Sequence, residues 1–561
     1  MRWDAHAYFD VLSPEPGQRV RAAVLAAYSA EPVVLVAGLL TLAGLDEQDP
    51  SRAAQVEALL GLRGRVAVLL QNGRLHAPRK PSRALGLLDR YVRFVANDES
   101  ELSWHPKLTM VWLERPTELR VWLGSRNLTS DRSWDLGLSL RGQLGEGGPA
   151  PAGLLDSLRR LASRGEQPLP ELAGLRWVGP EGIDVRSVQL HAERQPRRLG
   201  LPPKPTELLV LSPFVDGAQL GHLPSAPKQR LVTTLETARE LGPHRAGWEI
   251  LTLSAPGPEA QAVDGDDEGG PESWALHAKA VAAVVDGSVH LELGSANLTT
   301  RGWSRNAEAQ ARAEMPLEWL RNINTLFDHH ACRPDEEQLQ PEEGDDEARR
   351  LERAINKLAT VQFEQQTIPS GTRLVGDIWS KLEQEDRVCA RSLGASVVSA
   401  WAPSSPSVDL LAPEPTELVE LQVGRGDLVR SLVLRARLAD GLEEDRDERL
   451  LARWLGLSGL FSWIRAILCE EEPGESGPSG SDSSSDGVGS VADALERYAP
   501  TLEEVLRSWQ RDPELVRRAD REVRRFVRLL GDALETDDER AALVDFQRHW
   551  RSIVRGLGIS P

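Results

Sequence analysis

The chain has 561 residues, enough for several domains, and its 40% apolar content can furnish their cores. A formal net charge of −19 excludes a protein that coats nucleic acid nonspecifically, because most of its surface would repel phosphate. No run is apolar for long enough to cross a bilayer, and Met1-Arg2-Trp3-Asp4 opens no signal peptide, which argues against a membrane protein or a secreted lipase.

In chain order, Val24–Ser29 reads as a strand, followed by an apolar run, Pro32–Leu45, that fits a buried helix. Arg65–Leu70 is a second strand. A basic cluster follows at His76–Arg93 (Arg79, Lys80, Arg83, Arg90, Arg93). Then come His105-Pro106-Lys107, an apolar strand from Leu108 to Leu113, and a strand Leu119–Leu123 that runs into Gly124-Ser125-Arg126-Asn127-Leu128-Thr129. Ala152–Ala162 looks helical, and Arg194–Pro205, with Arg197, Arg198 and Lys204, is a Pro/Arg-rich connector.

The pattern then returns. Glu207–Phe214 is a strand that turns at Val215-Asp216-Gly217, and Trp248–Leu253 is another. An acidic run, Asp264–Glu272, precedes His277-Ala278-Lys279. The strand Ala280–Val285 turns at Asp286-Gly287, and Val289–Leu293 leads into Gly294-Ser295-Ala296-Asn297-Leu298-Thr299. Strands alternating with helices, twice over, predict an α/β architecture of two pseudo-symmetric lobes at residues 1–150 and 206–333, joined by a helical connector at 151–205.

Beyond the repeat, Ala348–Gln362 has apolar residues at helical spacing. Short apolar runs at Thr372–Trp379, Ser396–Ala402, Glu417–Val423 and Leu428–Leu438 predict a small β-rich module, with a helix near Glu448–Leu468 completing residues 348–470. Acidic runs fall at Asp335–Glu347 and Glu470–Asp486, and residues 471–489 form a flexible acidic Ser/Gly linker. A helical C-terminal region, 490–561, follows with helices at Ala492–Tyr498, Leu502–Trp509, Pro513–Leu530 and Asp538–Gly556, the third started by Asp512-Pro513. Its arginines 517, 518, 521, 524, 525 and 528 form a basic stripe best explained as a solvated face. Cys332, Cys389 and Cys469 are far apart and without metal-ligand spacing, which favours a reducing, cytoplasmic setting. His329-His330-Ala331-Cys332 has no second ligand cluster nearby and reads as structural.

The duplicated motif carries the chemistry. Residues two apart on a strand share a face, so His105 and Lys107 would project together, as would His277 and Lys279. A histidine can attack phosphorus and form a phosphohistidine; a second can protonate the leaving oxygen and later activate water. Two lysines and two asparagines can hold the non-bridging oxygens as charge builds. One half supplies one histidine and the reaction needs two, so a lone His-x-Lys would be ordinary surface while the pair describes one site. No metal or cofactor is called for.

On these motifs the chain resembles the phospholipase D superfamily over about residues 15–320. Many members carry an Asp five residues after the Lys; here Trp112 and Val284 stand there, so the chain looks more like the His-Lys-Asn branch that includes tyrosyl-DNA phosphodiesterases and bacterial nuclease-like members. The resemblance implies that His105 is the nucleophile and His277 the general acid/base. It also implies that Lys107, Lys279, Asn127 and Asn297 bind phosphate, with Ser125 and Ser295 assisting. Glu308, in Gly302-Trp303-Ser304-Arg305-Asn306-Ala307-Glu308, would orient a site histidine; Asp135 is a poorer counterpart in the first half. Among 16 tryptophans beside four tyrosines, Trp104 and Trp274 lie near the site histidines and could stack a base.

The leading expectation is therefore a metal-independent phosphodiesterase, a nuclease for which DNA and RNA are equally open. Phosphatidyl hydrolysis or transfer is a second reading, and a non-cleaving nucleic-acid-binding subunit of a larger complex a third. Bacterial relatives of this kind often work beside helicases or in phage defence, which makes a helicase or other protein the implied partner; no membrane partner and no oligomeric state is indicated.

Overall fold

The computed structural model describes residues 7–45, 52–78, 80–96, 102–253, 275–340, 346–412, 414–469, 499–531, 534 and 536–559. Trp274, the acidic run Asp264–Glu272, the linker at 471–489 and the expected helix Ala492–Tyr498 lie outside them.

Two seven-stranded mixed sheets carry the repeat. The first is built from β1 (Arg19–Ala26), β2 (Val66–Gln71), β3 (Val92–Ala96), β4 (Leu108–Glu114), β5 (Glu118–Gly124), β7 (Gly137–Gln143) and β8 (Arg176–Val178), with β6 (Ser133–Trp134) standing apart. The second uses β9 (Asp184–His191), β10 (Glu207–Leu211), β11 (Lys228–Thr234), β12 (Glu249–Leu253), β14 (Ala280–Val285), β15 (Ser288–Gly294) and β16 (Glu308–Pro316), with β13 (Ala275–Leu276) apart. Their orders, β3-β2-β1-β4-β5-β7-β8 and β12-β11-β10-β14-β15-β16-β9, match position for position. In each, three strands run parallel and the rest antiparallel. A wholly buried run such as β2 is what a parallel strand covered on both faces requires.

The connector departs from its expected helical character. After the helix Leu154–Gly165, β8 closes the edge of the first sheet and β9 crosses to the far edge of the second, where it pairs with β16. Alternating residues of β9 are half exposed, so its period is that of an edge strand and too weak to stand out in the sequence. β3 and β11 are two further strands beyond those the sequence pattern marks.

Alternate residues of β1 face different cores. Val24 and Ala26 enter a core shared by both sheets and the helix Leu154–Gly165. Ala23 and Leu25 face a second core with the helices Pro32–Leu42, Arg52–Leu62 and Arg446–Cys469, and with Leu502–Arg511, Pro513–Gly531 and Asp537–Gly556. The C-terminal helices expected to form a region of their own thus share a core with the first lobe, and Pro32–Leu42, apolar all round, buries Leu35, Leu39 and Leu42 in it. Their basic stripe is largely paired, Arg518 with Glu57, Arg521 with Glu514, Arg524 with Asp520 and Arg525 with Glu448.

Residues 363–438 form a third seven-stranded sheet, whose first and last strands in the order are joined where Ser399 Oγ donates to Asp409 O at 2.7 Å. The helix Asp346–Leu358 packs on it through Leu351, Ile355 and Leu358. One buried carboxylate ties the parts together. Asp89 accepts from Arg446 Nη2 (2.6 Å) and from Thr416 Oγ1 (2.9 Å), while its backbone oxygen accepts from Arg435. Both partners of the ion pair are fully buried. Arg446→Leu therefore strands a buried carboxylate, and the expected cost is about 3–5 kcal/mol, read from the urea unfolding midpoint.

Candidate active site

The motif residues leave the two sheets at neighbouring ends. His105 and Lys107 lie just before β4, and His277 and Lys279 just before β14, so the pairs sit on irregular lead-in segments and not on the strands as expected. Each lysine nonetheless folds back on its own segment. Lys107 Nζ donates to His105 O (3.1 Å) and Lys279 Nζ to His277 O (2.7 Å).

The halves are cross-connected, each by the same scheme. His105 N donates to Ala307 O and Ala307 N to Ser103 O, which pairs the first lead-in with the segment entering β16. Reciprocally, His277 N donates to Trp134 O, and β13 pairs with β6 in parallel. The side chains follow. His105 Nδ1 is 3.2 Å from Glu308 Oε2, and His277 Nδ1 is 3.3 Å from Asp135 Oδ1. Each histidine thus faces the carboxylate of the other half; His105 Nδ1 is within hydrogen-bond geometry of Glu308, while His277 Nδ1 lies at ion-pair distance from Asp135 without a well-formed hydrogen bond, so Asp135 takes the place equivalent to Glu308 with a looser contact.

Each carboxylate is fixed by its motif serine and by a donor two residues before it, and Asp135 also accepts from Arg126 Nη1 (2.9 Å). Asp135 accepts from Ser125 Oγ (3.0 Å) and from Ser133 Oγ (2.7 Å). Glu308 accepts from Ser295 Oγ and from Asn306 Nδ2 (3.1 Å). Ser125 and Ser295 are wholly buried and spend their hydroxyls on these carboxylates, so they position the histidine partners and do not reach a substrate, contrary to the role expected of them. Ser133 and Asn306 were missed; the signal is a donor two residues before each carboxylate.

Asn127 and Asn297 are half-buried, and the Oδ1 of each is buried with no hydrogen-bond partner among the described residues. It is the Nδ2 donors of these carboxamides, and not the acceptor oxygens, that can meet oxygens of a ligand. Trp104 does not fit the stacking role. Its ring is fully buried and its Nε1 donates to Leu69 O, so no face is open to a base. The aromatic ring that meets His105 is instead Tyr28, half-buried, 4.7 Å away between centroids; Lys107 Nζ lies 5.7 Å from the same ring. His330 stacks on Trp134 at 5.5 Å, a packing role for that histidine. Cys332 and Cys389 are free thiols, and the described residues contain no cluster of three or more His, Cys, Asp or Glu placed to hold a metal ion. No helix among them is long and apolar enough to cross a membrane.

Electrostatics follow from crowding like charges in a buried cluster. Burial pushes both lysines down, Lys107 well below its usual value with Lys279 adding to the effect, and Lys279 to about 8. Burial, then the neighbouring lysines, also lowers both histidines, His277 to about 4. Burial alone would raise the carboxyls, but the histidines and their other donors outweigh it and hold Asp135 and Glu308 low. The resting site thus has neutral imidazoles, ionised carboxylates and a titratable lysine near neutral pH.

Because Lys279 loses its charge as pH rises through about 8, an anionic substrate should bind more weakly above that point. The expected profile is a flat KM below about pH 8 and a rise of roughly tenfold per unit above it, with Lys279→Arg staying flat through pH 9 because a guanidinium does not titrate there.

Two halves, each giving a His-x-Lys segment, an uncommitted asparagine and a carboxylate for the opposite histidine, make a site suited to phosphoryl chemistry, and in these features the chain resembles the phospholipase D superfamily. No family model and no curated relative matches the sequence. Similar solved structures include the polyphosphate kinase of Porphyromonas gingivalis, 13% identical, covering 61% of this chain and 48% of that one, with a TM-score of 0.33. Phosphatidylserine synthase of Haemophilus influenzae is 11% identical over 63% and 90% of the two chains, TM-score 0.35. Yeast tyrosyl-DNA phosphodiesterase 1 is 10% identical over 56% and 86%, TM-score 0.32. The chain thus spans about half the length of the polyphosphate kinase. Overlaps this slight do not choose a substrate, and the functional reading stands on the motif and its geometry.

Proposed function

We propose that this protein is a metal-independent phosphodiesterase, a nuclease that works through a phosphohistidine, built from two lobes related by a pseudo-twofold axis. One observation carries the reading: the reciprocal His105–Glu308 and His277–Asp135 pairs draw both His-x-Lys segments into a single cluster.

With Nδ1 of His105 turned to Glu308, Nε2 is the nitrogen that attacks phosphorus once Lys107 Nζ, 3.4 Å from it, moves to a phosphate oxygen. As that N–P bond forms, the P–O bond to the leaving group breaks and the leaving oxygen takes a proton from His277. In the second step water attacks the phosphohistidine, gives its proton to His277, and frees His105. Lys107, Lys279, Asn127 and Asn297 hold the non-bridging oxygens through both steps. A bound phosphodiester anion raises the proton affinity of the site, which supplies the protonated His277 that the first step requires.

A polyanionic chain is favoured as substrate by Arg132 and Arg305. They stand three residues before Asp135 and Glu308, in equivalent places of the two halves, and both are exposed. Neither has an ion-pair partner among the described residues, so both are available to flanking phosphates. A setting in bacterial DNA processing or phage defence, with a helicase or other protein partner and a cytoplasmic location, rests on the family resemblance and on the cysteine usage.

The test is to incubate purified protein in EDTA with labelled single- and double-stranded DNA, RNA and phosphatidylcholine vesicles, alongside His105→Ala. Cleavage of nucleic acid that survives chelation and vanishes in the variant is expected. Lipid turnover alone, or tight nucleic-acid binding without cleavage, would replace this reading with phosphatidyl hydrolysis or with a non-cleaving subunit.

A further inference from the structure

The two half-sites differ at one place that bears on their division of labour. The variable residue of Gly-Ser-x-Asn is Arg126 in the first half and Ala296 in the second. Arg126 Nη1 donates to Asp135 Oδ2 at 2.9 Å, on the oxygen opposite the one facing His277. Its other terminal nitrogen, Nη2, donates to Thr129 O (2.9 Å) and Asp131 O (3.2 Å), which fixes the guanidinium in place. Glu308 has no such partner: among the described residues no lysine or arginine lies within ion-pair distance of it. A second asymmetry runs alongside. Both lysines donate to the backbone oxygen of their own histidine, but Lys107 Nζ is also 3.0 Å from the ring nitrogen of His105.

We propose that Arg126 is a positioning residue that sets the acid strength of His277 by taking a share of the charge of Asp135. A carboxylate that also serves a guanidinium stabilises an imidazolium less than an undivided one. His277 therefore surrenders its proton more readily, as a donor to a leaving oxygen must. In the second half Glu308 feels the site lysines and Arg197 at longer range but has no guanidinium in direct contact, so more of its charge is available to a cation forming on His105. The duplicated motif is symmetric in its His, Lys, Ser and Asn; beyond the exchanges of Asp135 for Glu308 and of Ser133 for Asn306, Arg126 is the charged side chain in direct contact with one carboxylate and not the other. The charged groups facing His277 are Asp135, Lys279 and Lys107; those facing Asp135 are His277, Arg126, Lys107 and Lys279. His105 faces Glu308, Lys107 and Lys279. Of these, Arg126 alone touches only one half's carboxylate without belonging to the duplicated set.

The inference rests on the proposed use of His277 as an acid, but its test does not require turnover. The full-length protein, labelled with 13C at histidine Cε1, is titrated by NMR as wild type, Arg126→Gln and Arg126→Lys, with the His277 resonance assigned by its loss in His277→Asn. Arg126→Gln should raise the midpoint of His277 by about one pH unit, a tenfold gain in proton affinity, and leave His105 in place. Arg126→Lys, which keeps the charge, should stay near wild type. A His277 midpoint that does not rise in Arg126→Gln, or that rises equally in Arg126→Lys, overturns the proposal, the second outcome assigning Arg126 to holding the 129–131 loop. If Arg126→Gln does not fold, the Lys variant is read against Asp135→Asn: His277 must move down when the carboxylate is lost and hold when only the guanidinium is exchanged. Absence of catalysis on every substrate would remove the nuclease reading and leave these titrations interpretable.

Discussion

His105→Ala is expected to lose turnover by about 10⁴-fold or more on every substrate, because no other group at the site replaces a nucleophile. His277→Ala should behave differently, and the difference assigns the roles. On an ordinary phosphodiester it loses the acid for the leaving oxygen and drops by about 10²–10⁴-fold. On a p-nitrophenyl phosphodiester the leaving group needs no proton, so the first step should fall by less than tenfold. The phosphohistidine then accumulates, since the second step has lost its base, and a burst of one p-nitrophenolate per site should be seen with the phosphoryl group on His105. Equal losses for both variants on the activated substrate would show that the nucleophile has been misassigned or that no covalent step exists. Acid quenching must be avoided in trapping the adduct, because an N–P bond to imidazole is acid-labile while surviving alkali.

The second large effect belongs to Glu308. Glu308→Gln is isosteric and can still meet Ser295 and Asn306, but it removes the charge 3.2 Å from His105 Nδ1. The expected loss is about 10²–10⁴ in kcat with KM nearly unchanged, as an uncharged partner neither fixes the tautomer that exposes Nε2 nor supports the cation formed when His105 takes phosphorus. Asp135→Asn should resemble it on ordinary substrates and spare p-nitrophenyl esters, since its histidine is the acid. A Glu308→Gln enzyme with wild-type kcat would dismiss the crossed pairing as a structural contact. A fall in thermal stability alongside the kinetic loss would point instead to disruption of the buried cluster, so the melting temperature belongs in the same experiment.

Much of this was legible in the chain because the motif is local. His105 and Lys107, or Gly124 through Asn127, need only a few residues of extended backbone to share a face, and the repeat at 277–299 doubled the signal. The amphipathic C-terminal helices were also plain from their spacing and from Asp512-Pro513, and the structure adds capping boxes at Thr501 and Thr536 that the sequence reading did not use. Weakly periodic edge strands such as β8 and β9 were not, because their burial is decided by neighbours more than a hundred residues away in β16, or by the edge they complete. The serines were placed in the site for the wrong reason: their spacing put them there, but only the fold shows their hydroxyls turned to carboxylates.

What the sequence determined by itself was the inventory: two imidazoles, two ammoniums, two carboxamides and two carboxylates, in two equivalent runs. Which carboxylate serves which histidine was decided by tertiary structure alone. Each lead-in strand hydrogen-bonds to the segment of the opposite half, so the partners lie 203 residues apart for His105 and Glu308. Spacing along a chain specifies which side chains share a strand face; the pairing of segments from different sheets is fixed by the common core that Val24, Trp104, Leu209 and Leu276 fill together. That packing, and no motif, buries Trp104 away from substrate, brings Tyr28 against His105, and sets Arg126 on the carboxylate that His277 depends on.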